Sequence, residues 1–262
     1  MTIVRQVTSR HNDLFKDLRK LLAEPNAYRK LGRVWLEGDH LCRALLERGR
    51  APVRAVVTES GWATPALEAL ARNAPEVVCI PDALMRELSG LESPAPIGFL
   101  IDADTGVAPQ AGRDTVVLDR LQDPGNVGSI LRTASAMGFA QVIALKGSVA
   151  LWSPKVLRAG MGAHFALTLV EGAAIADVVA LGLPVVGTHL RDARWLHETT
   201  LPSPLAWVFG HEGQGMSDAV SAACTLRARI AQPGGEESLN VAAAAAMCLY
   251  ESTRQRAKSP AS

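Results

Sequence analysis

Apolar residues along the chain fall into short runs separated by amphipathic stretches. Six runs dominate the C-terminal half: "TVVLD", "QVIAL", "FALTLV", "PVVGT", "LAWVFG" and "LRARI". Short, continuously apolar runs are what parallel strands show when both faces of the sheet are covered. Helical stretches separate most of them. The last helix, from Leu239 to about Ala257, has "AAAAAM" near its start. Helix propensity accounts for those alanines, and small side chains would also let other backbone pass close by. In the N-terminal part the pattern predicts a helix over Asn12 to Leu22, and "RVWLEGDHLCRALLERG" predicts a strand running into a helix ended by Gly49. "VRAVVTE" and "EVVCIP" read as strands and "PALEALARNA" as a helix. "DALMRELSG" reads as a helix capped by Asp82 and stopped by Gly90, and "IGFLIDA" as a final strand. The Gly/Pro/Ala/Gln stretch that follows has the character of a linker. The expected organisation is α/β throughout: a small α/β domain over 1–104, a linker over 105–113, and a parallel-sheet domain over 114–262.

Composition narrows the class. The chain has 262 residues, 48% hydrophobic and 20% charged, as a globular protein does. Aromatics make up only 5%, so aliphatic side chains and alanine must fill the cores. No apolar run approaches the ~20 residues that span a bilayer. The N-terminus lacks the apolar stretch and cleavage site of a signal peptide. The chain therefore reads as a cytoplasmic protein with no membrane partner. Cys42, Cys79, Cys224 and Cys248 fit neither a zinc spacing nor a redox Cys-x-x-Cys and read as buried free thiols. Net charge is +1, but residues 1–50 carry 11 Lys/Arg against 6 Asp/Glu. A basic segment beside a near-neutral body suits nucleic-acid binding, and equally a solvated helix.

Three strand-to-helix loops carry the candidate chemistry. In open α/β sheets, loops at the carboxyl ends of strands are where ligands bind. The first, "DRLQDPGNVGSILR", offers only Gly125 and Gly128 where a dinucleotide fingerprint needs Gly-x-Gly-x-x-Gly. No acidic residue ends the next strand to hold a ribose, and no Gly-Lys-Ser/Thr follows. A nicotinamide-dependent oxidoreductase and a P-loop are both disfavoured. Asn126 stands where the helix N-cap belongs, and Arg132 falls in the second turn. Taken alone, this loop is explained by capping and solvation. The second loop, "VFGHEGQGMSDAV", sets Glu212 among Gly210, Gly213 and Gly215. The third, "IAQPGGEESLNVAAAAAMCLYE", presents Ser238 as N-cap and Asn240 in the first turn, where asparagine does little for helix stability.

Taken together and in this order, the loops resemble the three motifs of the SpoU/TrmH-type RNA 2′-O-ribose methyltransferases of the SPOUT superfamily. "LDRLQDPGNVGSILRTASAMGF" is similar to the first motif, "FGHEGQGMS" to the second and "IAQPGGEESLNVAAAAA" to the third. "SPKVLRAGMGAHFAL" is similar to the family's helix-to-strand segment. "WLEGDHLCRALLERG" and "LSGLESPAPIGFLI" resemble the ribosomal-protein-like substrate-binding domain often fused ahead of the catalytic one. Ala231 departs from the proline that many members have there.

The resemblance implies a parallel-sheet SPOUT domain with a deep trefoil knot, which general rules of chain topology would not predict. It implies methyl transfer from S-adenosylmethionine to a ribose 2′-hydroxyl, without a metal. By carry-over, Asn126, Arg132, Glu212, Ser238 and Asn240 form the catalytic set. Arg132 is the family's suggested base; a guanidinium stays protonated, so clamping a phosphate or stabilising an alkoxide is the other reading. Thr188, His189, Phe209, Gly210, Gly215, Ile230 and Leu239 are expected to hold the cofactor. The resemblance also implies a homodimer. Arg5, Arg10, Lys16, Arg19, Lys20, Arg29, Lys30 and Arg33 are candidates for RNA phosphate contacts. Ribosomal RNA is favoured over transfer RNA by the look of the first domain. A non-catalytic RNA-binding protein of the same fold is the alternative.

Overall fold

The structure is a computed structural model that describes residues 2–89, 92–190, 192–235 and 238–258. It divides into two compact units. One comprises the chain up to Thr105 together with Trp152–Phe165; the other comprises Gly106–Leu151 and the chain from Ala166 onward. The segment Trp152–Phe165, which the sequence pattern leaves inside the range 114–262, therefore packs with the first unit.

The first unit is built on a mixed five-stranded sheet of β1 (Ile3–Gln6), β2 (Arg33–Glu37), β3 (Arg54–Thr58), β4 (Glu76–Ile80) and β5 (Ile97–Asp102). The order is β1-β4-β3-β5-β2, with β5 antiparallel to both neighbours and the other pairs parallel. Its helices are α1 (Asp13–Ala23), α2 (Ala27–Leu31), α3 (Asp39–Glu47), α4 (Glu59–Trp62), α5 (Pro65–Ala71) and α6 (Asp82–Leu88). Asn12 caps α1 by accepting from the Leu14 N–H, and Gly49 ends α3's turn in the left-handed region that glycine tolerates. Gly98 on β5 is required by packing, because a Cβ there would lie 2.3 Å from the Trp35 ring. Asp82 does not cap α6. Pro81 holds that position and Asp82 is the first helical residue. Its carboxylate is taken by the Ser60 hydroxyl and N–H, bonds that keep it below the usual carboxylate range against a smaller effect of burial. The stop expected at Gly90 lies outside the described residues.

The second unit is a seven-stranded sheet, parallel throughout, in the order β10-β12-β9-β11-β6-β7-β8. The strands are β6 (Thr115–Asp119), β7 (Gln141–Leu145), β8 (Thr168–Ala173), β9 (Val185–Thr188), β10 (Arg194–Trp195), β11 (Ala206–Gly210) and β12 (Leu226–Arg229). Five of these coincide with the apolar runs. In the sixth run, "FALTLV", Phe165 lies within a 3-10 turn and β8 begins at Thr168, and the two-residue β10 falls in none of the runs. Helices α7 (Pro124–Ala136), α9 (Ile175–Val179), α10 (Asp218–Ala223) and α11 (Val241–Lys258) belong to this unit; α8 (Pro154–Gly160) belongs to the first.

Register explains why the strands read as unbroken apolar runs. Val208, Val117, Ile143 and Val170 lie side by side on one face and pack with Val178 and Val220 from α9 and α10. Trp207 and Phe209 stack on one another, fully buried, and the Trp207 indole N–H donates to Ser252 of α11 at 2.8 Å. Along the central strands β6, β7 and β11 both faces are buried, so neither alternates between apolar and exposed polar residues. Among the described residues, no helix is long and apolar enough to cross a membrane.

Candidate active site

Neighbouring strands β6 and β11 send their chains in opposite directions. The connection after β6 leads to β7 on one side, and that after β11 leads to β12 beyond β9 on the other. The carboxyl edge between such strands is where open parallel sheets form ligand crevices.

The loop after β6 ends in Asp123-Pro-Gly-Asn126. Asp123 is the N-cap of α7: its Oδ1 accepts from the Asn126 N–H at 2.7 Å, and Pro124 fills the first helical position. Asn126 is therefore not the cap but the third residue of the helix. Its carboxamide is free for other work. The Asn126 Nδ2 donates to Glu212 Oε1 at 3.3 Å, and its Oδ1 accepts from Asn240 Nδ2 at 3.0 Å. Asn240 in turn is the residue that caps α11. Its Oδ1 accepts from the N–H groups of Ala242 at 2.9 Å and Ala243 at 3.2 Å. Ser238, expected as the cap, lies two residues earlier, exposed, and bonds to no described group.

These bonds form a directed relay. The α11 amides fix the Asn240 oxygen, so its nitrogen must face Asn126. That fixes the Asn126 oxygen, and the Asn126 nitrogen must face Glu212. Glu212 also accepts from the Asp123 N–H at 3.3 Å and the Gln122 N–H at 3.5 Å. Partial burial pushes the Glu212 carboxyl up. The hydrogen bonds from its own backbone N–H, Asn126, Asp123 and Gln122 together outweigh that and hold it below the usual carboxylate range. It is thus an anion at neutral pH, engaged by donors at the start of α7, where the helix dipole favours negative charge.

Around this relay lies a rim of backbone. Gly210 ends β11, and a Cβ there would sit 2.3 Å from the Met216 nitrogen, so only glycine lets the loop fold back. His211 and Gly215 pair across the loop, with Gly215 at φ +68°. His211 Nδ1 accepts from the Gly213 N–H at 3.0 Å. Arg229, the last residue of β12, lies over the Trp195 ring, and its Nε and the nearby Gln232 Oε1 are buried with no hydrogen-bond partner among the described residues.

The SpoU rRNA Methylase family model matches residues 114–250. The chain belongs to this family. It is 31% identical to an uncharacterized tRNA/rRNA methyltransferase of Synechocystis, an alignment covering 97% of this chain and 95% of that one. It is 27% identical to the 23S rRNA (guanosine(2553)-2′-O)-methyltransferase of Bacillus subtilis, over 94% of this chain and 98% of the relative. Its fold is similar to that of the AdoMet-bound rRNA methyltransferase of Sinorhizobium meliloti, with a TM-score of 0.84, 27% identity, and coverage of 98% and 99%.

In this SpoU family member the remaining expected residues fall as follows. Arg132 stands in the third turn of α7, exposed and unbonded among the described residues. Six positions at 3.6 residues per turn set it about 120° around the helix from Asn126, so the chain does not bring it to the relay. Thr188 ends β9, and the His189 N–H donates to Ala228 O at 2.9 Å. Ile230 follows β12 and Leu239 precedes Asn240. Phe209 is fully buried under Gly210 and reaches the rim only through its backbone. Thr188, His189, Phe209, Gly210 and Ile230 stand at the ends of β9, β11 and β12, which are contiguous in the sheet, and Leu239 lies just ahead of α11.

The expected RNA contacts divide into two kinds. Arg5 pairs with Glu76, Arg10 and Arg19 with Glu87, Lys16 with Asp13, and Arg33 with Asp102. Arg29 bonds and stacks on Tyr28. Lys20 and Lys30 are exposed and make no ion pair among the described residues. Three of the four cysteines are buried as expected; Cys224 is only half-buried. Sequence reasoning missed Asp123, Gln122, Arg229 and Gln232. Proline after Asp123 was the signal for the first; the others depend on contacts between distant segments.

Proposed function

We propose that this protein is an S-adenosylmethionine-dependent RNA methyltransferase that methylates a ribose 2′-hydroxyl in ribosomal RNA. The observation that carries this reading is the Glu212–Asn126–Asn240 relay. It joins three loops far apart in sequence, at the edge where the sheet's connections diverge. Capping alone does not need the Asn240 nitrogen to meet Asn126, nor Asn126 to meet Glu212.

The rim fits the cofactor. Arg229 Nε and Gln232 Oε1 give one buried donor and one buried acceptor without hydrogen-bond partners among the described residues, suited to a ligand bearing both amino-acid and adenosine polar groups. Thr188, His189, Phe209, Gly210, Gly215, Ile230 and Leu239 would hold it, largely through backbone. When bound, S-adenosylmethionine supplies the methyl group carried on its sulfonium. The chain's own part is to align the hydroxyl with the methyl group and to stabilise the charge that develops on its oxygen as its proton passes to solvent. Asn126 and Asn240 each keep one uncommitted amide N–H, which with the exposed Ser238 hydroxyl orients the ribose. Glu212 is taken up by Asn126, the Gln122 and Asp123 N–H groups and its own N–H, and holds its loop in place. Arg132, always cationic and turned away from the relay, would clamp a phosphate next to the target nucleotide.

Two further elements belong to the reading. A homodimer is supported by Met247 and Tyr250, which stand 44% and 57% exposed on α11. The trefoil knot is supported by β12, which enters the sheet between β9 and β10, two strands joined by an earlier loop. Lys20 and Lys30 are the first candidates for RNA phosphate contacts.

The test is transfer of a labelled methyl group from S-adenosylmethionine to ribosomal RNA, followed by nuclease digestion. A 2′-O-methylated nucleoside is expected with wild type and a loss of at least 100-fold with Asn126→Ala. Label on transfer RNA alone would move the substrate. RNA binding with no transfer would turn the reading to the non-catalytic protein.

A further inference from the structure

Arg120 follows the last residue of β6 and carries φ +60°, a left-handed backbone that side chains other than glycine adopt at an energetic cost. The surroundings hold it there. Its N–H donates to Ser148 Oγ at 3.0 Å, and that hydroxyl donates to Leu118 O at 3.0 Å. The twist sends the guanidinium across to the loop after β11. Nη1 donates to Gln214 Oε1 at 3.1 Å and Nη2 to Gly215 O at 3.2 Å. Nε turns back to Asp119 Oδ1 at 3.2 Å. Asp119 is itself buried, 3% exposed in its side chain, and its other oxygen accepts from the Ser217 N–H at 2.6 Å.

We propose that Arg120 is a positioning residue which, with Asp119, clamps the loop His211–Ser217 in its working form. Asp119 holds the end of the loop and the Arg120 fork holds its turn. Glu212, just ahead of both grips in the loop, is thereby presented to Asn126 on one side, and the backbone of Gly210–Gly215 to the cofactor on the other. The planar fork suits this task, since two acceptors must be held at once by one rigid group. The inference rests on the methyltransferase reading for the loop's purpose, and on geometry alone for the clamp.

The test compares wild type with Arg120→Gly, a substitution that keeps the φ +60° backbone accessible while removing the fork. Amide hydrogen exchange is measured without cofactor, and S-adenosylmethionine affinity by calorimetry. In Arg120→Gly the amides of Gly215 and Ser217 should exchange about tenfold faster, with strands β6 and β11 unchanged. Cofactor Kd should rise about five- to tenfold. Arg120→Lys, with a point charge in place of a fork, should fall between. Gln214→Ala, which removes one acceptor from the loop side and leaves Arg120 in place, should give a smaller acceleration at the same amides. Unchanged exchange and affinity in Arg120→Gly would overturn the clamp. So would acceleration spread evenly over the sheet, the mark of a general stabilising role. Wild type that fails to bind S-adenosylmethionine would overturn the cofactor reading instead, and exchange would still judge the clamp.

Discussion

At the scale of single residues, Asn240 does two jobs with one carboxamide, and they can be separated. Its oxygen caps α11 and its nitrogen reaches Asn126. Aspartate caps a helix as well as asparagine does, but it has no donor to offer Asn126. Asn240→Asp should therefore leave the urea midpoint close to wild type while methyl transfer falls by at least tenfold. Asn240→Ala should lose transfer and also about 1 kcal/mol of stability, the usual worth of a cap. Full activity in Asn240→Asp would remove the relay from the site. The residue types of the relay were legible in the loops, but two of their local roles were not. Asp123-Pro-Gly-Asn126 and Ser238-Leu-Asn240 each contain two good caps, and sequence favoured the wrong one in both. The tertiary bonds decide: Asn126 and Asn240 are drawn to each other across 114 positions. Asp119 and Arg120 left no trace at all, because the loop they hold is about 95 positions away.

At the scale of elements, strands buried on both faces were the most legible part of the fold, since their side chains are mostly apolar. The short edge strands β1 and β10 were not read, because they carry little buried apolar surface: β1 is exposed throughout, and β10 is two residues long. The segment 152–165 shows the opposite failure. Its local pattern is helix and turn wherever it packs, so no local signal told which unit it joins. A hydrogen bond ties the sheet to α11. Trp207 on β11 fills the space beneath α11, and its indole N–H has Ser252 as its partner. Trp207→Phe keeps an aromatic ring but removes that bond and leaves a void. The expected cost is about 2–3 kcal/mol, from an unmade buried hydrogen bond together with a cavity. It is read as a lower urea midpoint at unchanged slope. A cost below about 0.5 kcal/mol would mean that α11 closes over the smaller ring.

At the scale of the whole molecule, net charge says little and its distribution says more. The surplus of cations in residues 1–50 is mostly spent on neighbours: Glu76, Glu87, Asp13 and Asp102 take five of the eight cations expected to meet RNA. A cation already paired must break or share that pair to meet a phosphate, and it releases less counterion from the RNA. Lys20 and Lys30 have no such partner among the described residues. They should therefore account for more of the salt dependence than Arg10 and Arg19, which share Glu87. Removing a cation that neutralises one phosphate lowers the slope of log affinity against log salt by about 0.7 to 0.9. The double variant Lys20→Ala/Lys30→Ala should lower it by roughly 1.5 with ribosomal RNA as ligand, and Arg10→Ala/Arg19→Ala by less than half of that. Equal slopes for the two variants would mean that the ion pairs on Glu87 open on binding. An unchanged slope for the lysine variant would place the RNA on another face of the unit.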